Sequence, residues 1–372
     1  MPTSARTSTP TVPFDDLDAD QPKASLPPVT TPAAATATAQ ASPAPAQSPV
    51  AARLAGPPPR VGRYEVLERI GMGGMAEVFR ARATGPRGYQ KDLIIKRILP
   101  QLAAHPDFVQ GFVDEAKILG MLYHPNIVGI YDFGEDHGLH YLALEYLDGP
   151  TVGSMLMQLR NAKRPLPFGA AAFIAREVCR GLIAVHALQD VRGRPMNVIH
   201  RDVTPSNVMT TRAGAVKLLD FGIAKISGSE NVTRVGQIKG KAGYLAPEQI
   251  LGGVVDGRVD LFALGVVLYE MLSLEPLFHG EGGDMGAVYR TLEKPIAPPS
   301  TFRADTPLAF DRVVLKALAR EPGKRYQTAV DMERDLDAAF VESGLSPADV
   351  ARVLAEIRSL RPGRPAGSAA AP

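Results

Sequence analysis

The chain has 372 residues, and its 41 Lys and Arg against 39 Asp and Glu leave a formal net charge of only +2. This balance argues against nucleic acid or an acidic membrane surface as a partner, because both attract strongly basic proteins. Hydrophobic residues make up 45% of the chain, enough for a sizeable core, and the single cysteine, Cys179, excludes an internal disulfide framework and a cysteine-rich zinc site.

No segment carries a membrane or secretion signal. The longest apolar run lies near residues 262–272 and is shorter than the roughly 18 residues that a membrane helix needs. The N-terminus lacks the basic and apolar regions of a secretory signal peptide. We therefore expect a cytoplasmic protein with no membrane span.

The first 60 residues differ in composition from the rest of the chain. They contain 13 of its 33 prolines and one aromatic residue, Phe14. Such a segment buries too little apolar surface to offset the entropy lost on folding, so residues 1–60 are predicted to be a disordered tail. Residues 361–372 are predicted to be a second tail, and either tail could dock a protein partner.

A small strand-rich region is predicted over about residues 64–146. Residues 78–79 and 93–95 have the apolar content of strands, and these strands are expected to be short. Apolar residues recur at helical spacing over 108–122, and the His124-Pro125 step ends that helix.

The pattern from about residue 147 to 340 is mostly helical, with strand-like runs near Val198 and Val216. A last helix is predicted over 346–360, because Ser346 can cap it and Pro347 suits its first position. The sequence therefore predicts an α+β protein with a smaller and a larger lobe, followed by one further helix.

A glycine-rich run follows the apolar residue Ile70 and reads Gly71-Met72-Gly73-Gly74-Met75-Ala76-Glu77-Val78. Glycine lets a backbone approach phosphate groups closely, and unpaired N–H groups can face an anion. The run does not match the Walker pattern, since no Gly-Lys-Ser/Thr follows it. Taken alone, it could also be the turn of a plain β-hairpin.

A lysine closes the apolar run Leu93-Ile94-Ile95-Lys96, 23 residues after Gly73. Glu115 lies 19 residues further along, on the predicted helix. A buried lysine needs a carboxylate partner to remain charged, and Glu115 is placed to be that partner. The alternative is an ordinary solvated end of a strand.

Two polar motifs follow in the helical region. The first is His200-Arg201-Asp202-Val203-Thr204-Pro205-Ser206-Asn207, and Asp220-Phe221-Gly222 begins 13 residues after it. Asp202, Asn207 and Asp220 offer three hard oxygen donors, which suits one proton acceptor and two Mg²⁺ ligands. These residue types are also common in turns, but the order and spacing of the whole set disfavour that interpretation.

These motifs and Ala246-Pro247-Glu248 follow one another in the same order as in the protein kinases. The chain therefore resembles that family, in particular the eukaryotic-like Ser/Thr kinases of bacteria. The resemblance covers about residues 64–340. It implies an antiparallel β-rich N-lobe with one helix, over 64–146, and a larger helical C-lobe, over 147–340. It also implies transfer of the γ-phosphoryl group of ATP, with Mg²⁺ or Mn²⁺, to hydroxyls of protein substrates.

The resemblance implies roles for residues around a bound nucleotide. Residues 70–78 would cover the ATP phosphates, and Lys96 would hold the α- and β-phosphates while pairing with Glu115. By family position, Glu145 to Leu147 would form the hinge that hydrogen-bonds adenine through backbone groups, with Leu144 as the gatekeeper.

The resemblance also assigns the chemical step. Asp202 would accept the proton of the substrate hydroxyl, and Asn207 and Asp220 would bind magnesium. Arg201 would read a phosphate on the activation loop. Thr233, eight residues before Lys241, is predicted to be an activating autophosphorylation site, with a plain solvated threonine as the alternative.

Two positions depart from the family pattern as a pair. Ser/Thr kinases usually carry Lys two residues after the catalytic Asp and Thr in the Gly-Thr step before Ala-Pro-Glu, whereas this chain has Thr204 and Lys241. In the family these two side chains meet beside the catalytic Asp. The sequence thus predicts an exchange in which Lys241 supplies the positive charge near the transferring phosphoryl group and Thr204 supplies its hydrogen-bond partner.

The sequence leaves three classes of function to compare. An active Ser/Thr kinase is favoured, since Pro205 is kept and the Ala-Ala-Arg signature of tyrosine kinases is absent. If both exchanged positions have merely drifted, the chain is a pseudokinase scaffold that binds nucleotide and partners. A small-molecule kinase of the aminoglycoside or choline type is disfavoured. Such enzymes lack the Ala-Pro-Glu segment and its Arg partner, whereas this chain has both, with Glu248 and Arg325 as the expected pair.

Overall fold

The computed structural model describes residues 57–222 and 241–360. The other residues, which include most of both predicted tails and Thr233, lie outside the described part of the chain.

The N-lobe is built on one antiparallel sheet with the strand order β1-β2-β3-β4-β6-β5. Its six strands are β1 (Arg60–Val61), β2 (Tyr64–Met72), β3 (Ala76–Thr84), β4 (Gln90–Ile98), β5 (Ile130–Asp136) and β6 (Leu139–Glu145). The three strands β2, β3 and β4 each have nine residues, so the expectation of short strands is wrong for them. Backbone pairing along the whole β3–β4 ladder extends them beyond their apolar centres.

The two faces of this sheet have different neighbours. Leu93 and Ile95 of β4 are buried with Phe79 of β3 in one apolar cluster. Because side chains alternate along a strand, Ile94 and Lys96 lie on the opposite face. This alternation directs Lys96 towards the helix and the large lobe.

One helix, α1 (Pro106–Met121), packs against β5 and β6. Pro106 lies in its first turn, where the missing N–H has no intrahelical partner to lose. Phe112, Glu115 and Leu119 are buried on one stripe of the helix. The stripe brings a carboxylate into the interior of the N-lobe, beside apolar residues.

The C-lobe is mostly helical. Its helices in the described ranges are α2 (Val152–Ala162), α3 (Phe168–His186), α4 (Pro247–Leu251), α5 (Arg258–Ser273), α6 (Gly283–Glu293), α7 (Leu308–Ala317), α8 (Ala329–Glu342) and α9 (Pro347–Ser359). Every residue of α5 from Val259 to Leu272 is buried, including the carboxylates of Asp260 and Glu270, and the rest of this stretch is almost entirely apolar. The α+β fold class predicted from the sequence is confirmed.

A two-stranded antiparallel sheet, β7 (Val208–Thr210) with β8 (Val216–Leu218), carries the polar motifs on its flanks. The run near Val216 therefore forms a strand as expected, but Val198 lies in no strand. Within residues 57–222 and 241–360, no helix combines the length and the apolar character needed to cross a membrane.

Candidate active site

A cleft of about 790 Å³ lies between the sheet of the N-lobe and the β7–β8 ribbon of the C-lobe. Apolar side chains from both lobes line it: Ile70, Val78, Ile94, Val128, Leu144, Leu147, Met209 and Leu219. Lys96 and Asp220 lie at the polar end of the cleft. Apolar walls with a few convergent charged groups are typical of a site for a flat, polar-ended ligand.

The glycine-rich run forms a β-hairpin at one edge of this cleft. Gly71 pairs with Val78 across the hairpin, and the N–H of Gly73 donates to the carbonyl of Ala76 at 2.8 Å. Ile70 and Val78 line the cleft, whereas the carboxylate of Glu77 faces away and accepts from Arg97 Nη2 at 2.8 Å. The run is thus a hairpin turn that lies beside a cleft.

Glu145 and Leu147 lie at the back of the cleft, where the chain passes from β6 towards α2. The carboxylate of Glu145 accepts from Lys217 Nζ at 2.7 Å and from the N–H of Gly129 at 3.2 Å. These bonds fix the connecting segment to β8 of the large lobe. Lys217 was missed by sequence reasoning, because nothing local relates it to a residue 72 positions away.

Lys96 joins the two lobes at the polar end. Its Nζ donates to Glu115 Oε1 at 2.7 Å and to Asp220 Oδ1 at 3.0 Å. The side chains of Lys96 and Glu115 are only 13% and 3% exposed. Burial disfavours the charged lysine, but attraction to the two carboxylates outweighs it and raises the pKa of Lys96. Lys96 therefore remains protonated.

The segment containing Asp202 is held by Asp260 in the first turn of α5. The carboxylate of Asp260 is buried and accepts from the backbone N–H groups of His200, at 2.9 Å, and Arg201, at 2.8 Å. Arg201 has a φ of +62° and Asp220 a φ of +43°, which non-glycine residues rarely adopt. Such strained backbones persist where surrounding contacts over-determine them, which is common at functional sites.

Asp202 and Asn207 are buried side by side. Asn207 Nδ2 donates to the backbone carbonyl of Asp202 at 2.9 Å and to Asp202 Oδ2 at 2.7 Å. The amide nitrogen of Asn207 is therefore occupied, and its oxygen is the atom left to act as an acceptor or ligand.

Burial lowers the pKa of His200, whose neutral ring lies 4.6 Å from the ring of Phe221.

Lys241 reaches the same carboxylate from the other side. Its Nζ donates to Asp202 Oδ2 at 2.6 Å. The hydroxyl of Thr204 instead lies 2.9 Å from Ser206 Oγ. In the described ranges no hydrogen bond joins Thr204 to Lys241, so the structure brings Lys241 to Asp202 without the bond expected between the exchanged side chains.

The oxygen donors of the site fit a magnesium ion that is shared with a ligand. Asp220 is 45% exposed and lines the cleft, and within residues 57–222 and 241–360 both hydrogen bonds of the Asn207 side chain come from its nitrogen, not its oxygen. Among the residues that the structure describes, no three His, Cys, Asp or Glu side chains converge on one point. A divalent ion here would need further oxygens, and Mg²⁺ usually takes these from water and substrate phosphates.

Glu248 and Arg325 form a buried ion pair behind the site. Both guanidinium nitrogens Nη1 and Nη2 lie 2.6 Å from the carboxylate oxygens, and the side chain of Arg325 is 0% exposed. This bidentate pair joins the start of α4 to the segment before α8.

Comparison with known proteins agrees with this geometry. The family model of the protein kinase domain matches residues 64–332. Tyrosine-protein kinase MasK of Myxococcus xanthus is 41% identical over 268 residues, which cover 72% of this chain and 41% of MasK. Serine/threonine-protein kinase PknB of Mycobacterium leprae is 40% identical over 296 residues, or 78% of this chain and 45% of PknB.

The chain thus spans less than half the length of these curated relatives. Among solved structures, the kinase domain of PknI from Mycobacterium tuberculosis is similar with a TM-score of 0.55 and 27% identity, covering 74% of this chain and 96% of that domain. The resemblance stated from the sequence motifs is confirmed by the family match. The chain belongs to the protein kinase family.

Proposed function

We propose that this chain is a protein kinase that uses ATP and Mg²⁺ to phosphorylate serine and threonine hydroxyls of proteins. One observation carries the proposal: Lys96 bonds both Glu115 and Asp220 at the end of an apolar cleft. Separated lobes or a turned-away helix would leave Lys96 without these partners. The contact supports a chain that is assembled for phosphoryl transfer.

In this proposal the apolar cleft binds adenine, and the backbone of Glu145 to Leu147 hydrogen-bonds its edge. The hairpin at 70–78 covers the phosphates, and Lys96 holds them through its charge. Asp220 and the amide oxygen of Asn207 hold Mg²⁺, which neutralises negative charge on the phosphates when bound.

Asp202 is proposed as the proton acceptor of the substrate hydroxyl. Asn207 donates to one carboxylate oxygen, Oδ2, at 2.7 Å, and Lys241 donates to the same oxygen at 2.6 Å. These two bonds fix the orientation of the carboxylate that would accept the proton. Lys241 also contributes positive charge where the phosphoryl group transfers.

Serine and threonine are proposed as acceptors because Pro205, three residues after Asp202, is kept as in Ser/Thr enzymes. The relative MasK is named a tyrosine kinase and PknB a serine/threonine kinase. The two relatives have nearly the same identity to this chain, 41% and 40%, so phosphotyrosine is the alternative outcome of the experiment below.

Autophosphorylation of Thr233 is proposed as the activating step, and the state of Arg201 supports it. The guanidinium Nε of Arg201 is buried and has no hydrogen-bond partner in the described part of the chain. Burial lowers the pKa of Arg201, so a nearby anion would stabilise its charged form. A phosphate on the loop that contains Thr233 would be such an anion.

Turnover of radiolabelled ATP by wild type and by Asp202→Asn tests the proposal, with phosphosites mapped by mass spectrometry. Removing the proton acceptor should lower the rate about 10²- to 10⁴-fold. Phosphate on Ser or Thr in wild type supports a Ser/Thr kinase, and phosphate on Tyr alone reverses the acceptor assignment. Nucleotide binding without any turnover, even after incubation with an active bacterial kinase, indicates the pseudokinase scaffold.

A further inference from the structure

The last helix, α9, lines the candidate nucleotide cleft although it lies outside the residues that match the protein kinase domain. Ala355, Arg358 and Ser359 contribute to the wall of the same cavity that contains Lys96 and Leu147. Asp148 and Arg212 line the cavity with them, and we call this part of the cavity its outer end. An element beyond the matched domain thus forms part of the site.

The position of α9 is fixed by burial. Val350, Leu354 and Ile357 are 0%, 1% and 3% exposed and belong to the core of the C-lobe. These residues lie on one face of the helix, so the helix cannot rotate without exposing them. Ser346 caps the first turn by accepting from the N–H of Asp349 at 3.2 Å. Arg358 is therefore presented from a rigid support.

Arg358 contacts the turn between β7 and β8. Its Nη1 donates to the carbonyl of Thr211 at 3.3 Å, and its Nη2 lies 3.5 Å from the carbonyl of Arg212. In the same turn Gly214 has a φ of +84°, and a Cβ placed on it would lie 2.8 Å from the Cβ of Ala351. Helix and turn are in such close contact that a side chain at Gly214 would displace one of them.

The turn between β7 and β8 also holds the segment that follows the hinge. The N–H of Arg212 donates to the carbonyl of Asp148 at 2.9 Å, and Arg212 Nε lies 2.7 Å from Asp148 Oδ2. The N–H of Thr210 donates to the carbonyl of Pro150 at 3.0 Å. A continuous set of bonds therefore runs from α9 through the turn to the residues directly after Leu147.

We propose that α9 is part of the nucleotide site and that Arg358 is a positioning residue for it. By holding the β7–β8 turn, Arg358 fixes the end of the hinge and the outer wall of the cleft, and so sets the affinity for ATP. This inference rests on the proposed function. The proposal places Arg358 out of contact with the reacting phosphoryl group, so the rate at saturating ATP should change little when Arg358 is replaced.

The test measures the affinity for a non-hydrolysable ATP analogue with Mg²⁺ by calorimetry, and KM for ATP and kcat by turnover, using the full chain. Arg358→Ala should raise Kd and KM about 2- to 10-fold, the range expected for one or two lost hydrogen bonds, with kcat within about 2-fold. The matched control is Arg352→Ala on the same helix, where the side chain is 71% exposed and pairs with Asp349. It should leave both constants unchanged.

Two further variants separate positioning from general stability. Arg358→Lys keeps one donor and should recover part of the affinity. Ala351→Val crowds Gly214 without removing a charge and should raise Kd if the position of the turn matters. Wild type that fails to bind nucleotide overturns the proposed function itself. Wild type that binds, with folded Arg358→Ala and Ala351→Val variants that bind equally well, overturns only the role of α9.

Discussion

The contact between Lys241 and Asp202 makes the exchange with Thr204 directly testable. We expect Lys241→Thr to lose most activity, because it removes the positive charge that donates to Asp202 Oδ2 at 2.6 Å. Thr204→Lys alone places a second ammonium near the first and should also reduce activity. In the double variant, Thr204→Lys with Lys241→Thr, the new lysine occupies the position that is usual in the family and should restore much of the rate.

The size of the effect follows from the geometry. At 2.6 Å and an effective dielectric constant of about 20, two unit charges attract each other by about 6 kcal/mol. Lys241 is 36% exposed, so water screens a large part of this attraction. Removing one preorganised donor to a reacting group typically costs about 3–4 kcal/mol, or about 10²- to 10³-fold in kcat, and we expect a loss in that range.

The assay is the steady-state kcat of each variant with the same acceptor at saturating ATP, with thermal melting to show that each variant is folded. Lys324→Thr is the matched control, because it makes the same substitution at a lysine that is 69% exposed and distant from the cleft. The reasoning is refuted if the double variant is no more active than Lys241→Thr, or if Lys241→Thr retains the wild-type rate.

Two predictions concern stability. Arg325→Ala should lower the free energy of unfolding by about 3–5 kcal/mol, because it leaves Glu248, whose side chain is only 10% exposed, without its partner. Arg334→Ala should cost less than about 1 kcal/mol, because Arg334 is 70% exposed and its partner Asp331 is 39% exposed. Urea titration measures both changes. Burial raises the pKa of Glu270 from 4.5 to about 6, so wild type should lose roughly 2 kcal/mol of stability as pH rises from about 4.5 to about 6. Glu270→Gln should remove that pH dependence in thermal melts, and an unchanged pH profile would contradict it.

Contacts that depend on the spacing of motifs along the chain could be predicted from the sequence. The spacing of Lys96 and Glu115 predicted a pair between a strand and a helix, and the two side chains lie 2.7 Å apart. The stripe of α1 and the proline in its first turn are local signals of the same kind. Such signals depend on a few neighbouring residues, so they are visible without knowledge of the fold.

Contacts between distant surfaces left no such signal. Arg358 bonds a carbonyl 147 residues earlier in the chain, and no periodicity relates the two. Ser346 and Pro347 predicted the helix over 346–360 but not the surface that it covers. For Thr204 the difficulty was competition between partners, because Ser206 lies two residues away and offers a hydroxyl at less entropic cost than a distant lysine.

The cleft is held at its two ends by different means. At the polar end, a buried ion pair between Lys96 and Glu115 ties β4 to α1, and breaking it leaves a buried charge without its partner. At the outer end, Arg358 makes longer hydrogen bonds to backbone carbonyls, in a place where water can replace them. The polar end therefore tolerates little change, whereas in the role proposed for Arg358 the outer end would set nucleotide affinity without contact with the groups that would hold the phosphates.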